Sequence, residues 1–158
     1  MRILLMSDSH GNTNNIIKAI KKNKDIDIVI HLGDMLSDIL KVMEGNKHIR
    51  YECVPGNNDW AREYPSEKVL DLEGKKVFIT HGHHYNVKYD YQRIIVRGRA
   101  IGADAVFFGH THIAEEMFSD GMMVLNPGSI SLPSQSRIPT YSLIEIKDGR
   151  LVSRFMGI

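Results

Sequence analysis

The stretch "GHTH" at 109–112 follows the apolar run "DAVFF" and sets two imidazoles one residue apart where a strand should end. The same placement recurs along the chain. Asp8 and His10 in "DSH" follow "RILLMS", Asp34 in "LGD" follows "DIVIH", and Asn57, Asn58 and Asp59 in "GNND" follow "HIRYECV". His81, His83 and His84 in "THGHH" close the run "KKVFIT". Carboxylate, imidazole and amide oxygen with no thiolate among them suit manganese, iron, zinc or nickel rather than a structural zinc site built from cysteines. Each motif alone has a local explanation. Ser9 or Asn12 could cap a helix, Asp34 could complement a helix dipole, and "PGNND" could be a turn. Those explanations would have to coincide at successive strand ends, and in open α/β sheets the carboxyl ends of strands are where ligands bind. Asp8, His10, Asp34, Asn57, His81, His110 and His112 together exceed the needs of one ion. Two ions about 3.5 to 4 Å apart, sharing a carboxylate, would use them. His31, inside the second strand, and His48, opening the third near solvent, stay outside this site.

The elements needed to position these residues are legible as an alternation. "RILLMS" reads as a strand, and "GNTNNIIKAIKKNK" as a helix with Ile16, Ile17 and Ile20 on one face. "DIVIHLGD", "MLSDILKVMEGN" and "HIRYECV" continue as strand, helix and strand, with Gly45 closing the helix. "KVLDLEG" and "KKVFIT" form a hairpin around Glu73-Gly74. "YDYQRIIVRGRAIGA" is a third helix leading into "DAVFF". This order predicts a parallel sheet with right-handed crossovers. The last quarter holds strand pairs around Asp120-Gly121 and Asp148-Gly149, which predict a second, antiparallel sheet.

With 158 residues the chain is expected to form a single domain over 1–158. A net charge of +1 argues against a broad nucleic-acid surface, and no apolar run is long enough to span a bilayer. Cys53 is the sole cysteine, and "MRILLMSDSH" turns polar too early for a secretory signal, so a reducing cytoplasm is the expected location.

Taken in order, "DSH", "LGD", "GNND", "THG" and "GHTH" resemble the motifs of the calcineurin-like metallophosphoesterases. "HGH" at 81–83 and "NPGSISLP" at 126–133 are similar to the compact YfcE-type phosphodiesterase branch. The resemblance implies a four-layer αββα sandwich, two mixed sheets flanked by helices. It implies that Asp8, His10 and His112 hold one divalent ion, that Asn57, His81 and His110 hold a second, and that Asp34 bridges them. Manganese or nickel are the expected ions, with iron or zinc also compatible. A hydroxide between the ions would attack a small phosphodiester in line, and Asp59 would orient its neighbours. Many relatives carry histidine, their candidate general acid, where this chain has Asn58; His83 is the candidate replacement. Arg137 stands later than the basic residue that often follows "SLP" in relatives and is the candidate contact to a substrate phosphate. The other classes compatible with the resemblance are a phosphomonoesterase, a metal-dependent hydrolase of another bond, and a non-catalytic scaffold like the retromer subunit that shares this fold. A homo-oligomer is compatible with each.

Overall fold

The computed structural model describes residues 1–61 and 63–158; Arg62 lies outside the described residues. In chain order the elements are β1 (Arg2–Met6), α1 (Thr13–Lys22), β2 (Ile28–His31), α2 (Leu36–Gly45), β3 (Arg50–Cys53), β4 (Glu67–Leu72), β5 (Lys75–Thr80), α3 (Gln92–Ala100), β6 (Ala105–Phe107), β7 (Ala114–Ser119), β8 (Met122–Pro127), β9 (Thr140–Lys147) and β10 (Arg150–Gly157). A single 3-10 turn, His83–Tyr85, follows β5.

One sheet runs β10-β9-β1-β2-β3 and the other β4-β5-β6-β8-β7. In the first, β1, β2 and β3 are parallel, β9 is antiparallel to β1, and β10 is antiparallel to β9 at the edge. In the second, β5, β6 and β8 are parallel, with β4 and β7 antiparallel at the edges. The period of two along each strand decides which layer a side chain joins. Ile3 and Leu5 of β1 enter the cluster between the sheets with Ile30, Ile79, Phe107 and Leu125, while Leu4 and Met6 face Ile16, Ile20 and Ile39 of the helices. On the far side Phe78 and Val106 pack against Ile94 and Ile95 of α3. The result is four layers: α1 and α2, the first sheet, the second sheet, α3.

The strand pairs of the last quarter do not form one antiparallel sheet, as the sequence predicts. They divide. β7–β8 joins the second sheet through the parallel pairing of β8 with β6, and β9–β10 returns to the first sheet against β1. All of Met122–Pro127 is buried, so β8 must be covered on both faces, which an interior position supplies and an isolated hairpin could not. The hairpin turns are as expected: Glu73-Gly74, Asp120-Gly121 and Asp148-Gly149 each have two positive φ angles, the requirement of a tight turn matched to strand twist.

Candidate metal centre

The carboxyl ends of β1, β2, β3, β5 and β6 open toward one place. The loops beyond them are sewn together by backbone bonds: Asp8 N–H donates to Gly33 O (2.9 Å), Ser9 N–H to Asp34 O (3.2 Å) and Gly109 N–H to His81 O (3.1 Å). Asp8, His10, Asp34, His110 and His112 all have φ between 43° and 70°. The left-handed region costs a side-chain-bearing residue on the order of 1–2 kcal/mol, and Asp and His are among the residues found there with function. Close packing of the loops needs Gly56, because a Cβ there would collide with the backbone and carboxylate of Asp34.

Two side-chain groups result, Asp8 with His10, Asp34 and His112, and Asp34 with His81 and His110, each with its ligand atoms within 4.8 Å of one another. Asp34 belongs to both. His10 Nε2 is 3.7 Å from Asp34 Oδ2 and 3.3 Å from His112 Nε2. His81 Nε2 is 3.4 Å from Asp34 Oδ1, 3.2 Å from His110 Nδ1 and 3.2 Å from Asn57 Oδ1, which brings the amide to the second group.

The tautomers decide what these groups can hold. His81 Nδ1 lies 2.7 Å from Leu32 O and His112 Nδ1 lies 2.7 Å from Leu132 O. A carbonyl only accepts, so each Nδ1 carries a proton, and in its neutral form each ring turns an Nε2 lone pair inward. There the lone pairs meet other acceptors. Oδ1 of Asp8 is buried and makes no hydrogen bond, although His112 Nε2 is 3.1 Å away. With the rings neutral, these nitrogens face carboxylate and amide oxygens across a buried oxygen, an arrangement that only a cation, a proton or a metal ion, can satisfy. The donor set therefore fits divalent metal ions. Burial opposes the charge on Asp8, yet His112 and His81 hold its carboxyl below the ordinary range. Burial, with His81 and Lys88, pushes His110 down to about 4, while the Asp8 carboxylate raises His112 against the effect of burial.

Asn58 donates through its backbone N–H and its amide to the two oxygens of Asp34, at 3.0 and 2.8 Å. Asp59 accepts from Gly56 N–H (2.9 Å) and from Leu36 N–H (2.7 Å), so it ties the β3 loop to the start of α2, which has no cap of its own. The His83 ring lies 5.3 Å from that of His81 and 6.1 Å from that of His110, with Nδ1 buried and unpartnered among the described residues. Arg137 is exposed on the loop before β9 and makes no hydrogen bond or ion pair among the described residues. Asn12, not Ser9, caps α1.

Residues that sequence reasoning left out sit directly behind the centre. Gly33 N–H donates to His31 Nδ1 at 3.2 Å, so His31 Nε2 carries the proton and donates to Ser9 Oγ (3.2 Å); Ser9 in turn donates to Asp38 Oδ2 (2.8 Å). Gly11 N–H reaches the same Asp38 oxygen at 2.8 Å, which closes a buried clamp around the Asp8–His10 loop. Asn126 donates to Gly109 O and Thr111 Oγ1, and Ser129 to Asp8 O. The one available signal was a buried polar residue abutting each motif: His31 before "LGD", and Asn126 and Ser129 in "NPGS".

Residues 1–149 match the family model of the calcineurin-like phosphoesterase superfamily domain. The chain belongs to that superfamily. It is 32% identical over 157 residues to the probable metallophosphoesterase YsnB of Bacillus subtilis (98% of this chain, 90% of the relative), and 35% identical over 147 residues to phosphodiesterase MJ0936 of Methanocaldococcus jannaschii (81% and 83%). Among solved structures, a predicted phosphoesterase from Streptococcus pneumoniae TIGR4 superposes with a TM-score of 0.83 at 28% identity, covering 99% of this chain and 88% of that one. The fold of this chain is thus that of its relatives, and its Asp/His groups could hold a metal ion. Among the described residues no helix is long and apolar enough to cross a membrane.

Proposed function

We propose that this phosphoesterase hydrolyses phosphodiesters with two divalent ions, one held by Asp8, His10 and His112, the other by Asn57, His81 and His110, with Asp34 shared. The observation that carries the reading is the membership of Asp34 in both groups, flanked by the bare Nε2 atoms of His81 and His112. When bound, the ions would supply a hydroxide for in-line attack on phosphorus and take up charge on the phosphoryl oxygens. The chain's own part is orientation. Leu32 O and Leu132 O fix two imidazole rings, Asn58 fixes Asp34, and Asp59 fixes the loop that presents Asn57. Manganese or nickel should serve best, since a mixed oxygen and nitrogen site accepts several first-row ions. A diester rather than a monoester is favoured by the kinship with a phosphodiesterase at 35% identity.

The test loads chelated, dialysed protein with each ion in turn and follows a nitrophenyl diester, a nitrophenyl monoester and a peptide. Activity should return only with metal, at two ions per chain, and the diester should react fastest. Asp34→Asn should lose most of its metal and activity, while His48→Ala, at an exposed position remote from the centre, should lose neither. Full activity after chelation, or two ions retained in Asp34→Asn, would contradict the reading.

A further inference from the structure

A cleft of about 450 Å3 lies against the centre, lined by Pro55, Asn57, Trp60, Tyr64, His83 and His84 among others. Two of these residues belong to the centre's own wall: Asn57 through its contact with His81 Nε2 at 3.2 Å, and His83 through its ring 5.3 Å from that of His81. The cleft is therefore continuous with the place where a phosphoryl group would sit under the proposed function. A diester brings two ester groups to that place. One departs, and the other must occupy space beside the ions.

The chemistry of the walls restricts what that group can be. Trp60 is 93% exposed, an unusual state for the largest apolar side chain, and faces open space rather than the core. Tyr64 is packed against the cluster under α2, and the His83 and His84 rings lie 3.9 Å apart, centroid to centroid. The acid in the lining, Asp59, spends both oxygens on backbone amides. Among the described residues the rest of the lining is Pro55, the aromatic side chains of Trp60, Tyr64, His83 and His84, and small or polar residues such as Ala61 and Ser66, around a space in the size range of small-molecule sites. Aromatic side chains in such a lining offer a flat ring a surface to stack on.

We propose that the cleft binds a heteroaromatic ring carried by one ester group of the substrate, so that the preferred diesters are nucleoside diesters with the base stacked on Trp60. This rests on the phosphodiesterase reading for the position of the phosphoryl group. Stacking on one aromatic side chain is worth about 10- to 100-fold in affinity per base, so the selectivity should be large enough to read directly.

Trp60 is the sole tryptophan, so its fluorescence reports on the cleft alone. Zinc-loaded protein is titrated with adenosine monophosphate and with ribose 5-phosphate, which share a phosphate and a sugar and differ in the ring. Adenosine monophosphate should quench saturably and ribose 5-phosphate should not. In parallel, thymidine 5′-(p-nitrophenyl phosphate) and methyl p-nitrophenyl phosphate are compared as substrates with the same leaving group. The nucleoside ester should be preferred in kcat/KM by about tenfold or more, Trp60→Ala should remove the preference, and Trp60→Phe should keep most of it. Equal quenching by both phosphates, or an unchanged preference in Trp60→Ala, overturns the proposal. So does a change confined to oligomeric state in Trp60→Ala, which would make Trp60 an interface residue. Quenching by the nucleotide with neither diester hydrolysed would uphold the ring site and reject the phosphodiesterase reading. Equal hydrolysis of both diesters without quenching would do the reverse.

Discussion

The side-chain amide of Asn58 donates to Oδ2 of Asp34 at 2.8 Å while its own backbone N–H donates to Oδ1 at 3.0 Å. Asn58 cannot act as a proton donor to a leaving group and is occupied in another way: it holds the carboxylate that both side-chain groups share. Removing a partner that orients a metal-binding carboxylate typically costs about 10- to 100-fold in metal affinity or activity. Asn58→Ala should fall in that range, and Asn58→Asp should do worse, because it sets a second carboxylate against Asp34. Metal content and diesterase rate measured together check this. Unchanged metal affinity in Asn58→Ala would show that the backbone N–H of residue 58 suffices to hold Asp34.

The positions of these residues were legible because each sits at the carboxyl end of a parallel strand, where short-range pattern and topology agree. Asp8, Asp34, His81 and His110 could be placed by counting from an apolar run. The clamp formed by Ser9, His31 and Asp38 could not. Its bonds join residues 22 and 29 positions apart, and His31 reads in sequence as one more buried position of β2. The strand pairs of the last quarter failed for a related reason. Both carry the same Asp-Gly turn, and only the long-range pairing of β8 with β6 and of β9 with β1 assigns them to different sheets.

The clamp makes acid stability testable. Burial holds His31 neutral with its pKa lowered to about 4, whereas in the unfolded chain it returns to the ordinary value near 6.5. Below pH 6.5 the unfolded state takes up a proton that the folded state does not. Stability is therefore greatest above about 6.5 and declines as pH falls toward 4, by roughly 3 kcal/mol at most from this residue. His83 and His110 are lowered too and add slopes of the same sign, so the informative quantity is a difference. Denaturant unfolding of metal-free native protein and of His31→Gln should diverge less at pH 4.5 than at pH 7. A constant gap across that range would remove His31 as a cause.

Metal loading should respond to pH in two stages. His112, raised by Asp8, keeps its proton to higher pH than an ordinary histidine, so protons compete for the Asp8–His10–His112 group earlier as pH falls. His110, lowered to about 4, offers no such competition until far more acid conditions. At fixed, limiting free metal, lowering the pH from 8 should take the content from two ions per chain to one before none. The ion that persists near pH 5.5 should be absent in His110→Ala. Loss of both ions in a single step would contradict the assignment of separate groups.

The identity of the general acid can be decided from leaving groups. Acid assistance matters most when the departing oxygen is a poor leaving group, and is typically worth about 10²- to 10⁴-fold. Asn58 is committed to Asp34, which leaves His83 as the nearby imidazole. Burial, with the charges of His84 and His81, pushes His83 down to about 4, so at neutral pH the ring is a neutral imidazole without the acidic imidazolium proton. A divalent ion beside it would lower it further, since like charge disfavours the imidazolium. Rates across a series of aryl and alkyl diesters should therefore rise steeply with leaving-group acidity, and His83→Asn should leave that slope almost unchanged. A shallow dependence in the native protein that steepens only in His83→Asn would make His83 the acid despite its low pKa. The same series in Asn58→His separates gain from damage. An imidazole there loses the two-point hold on Asp34, so a fall in metal content should accompany any benefit to alkyl esters, and a benefit without that fall would show that the hold is dispensable.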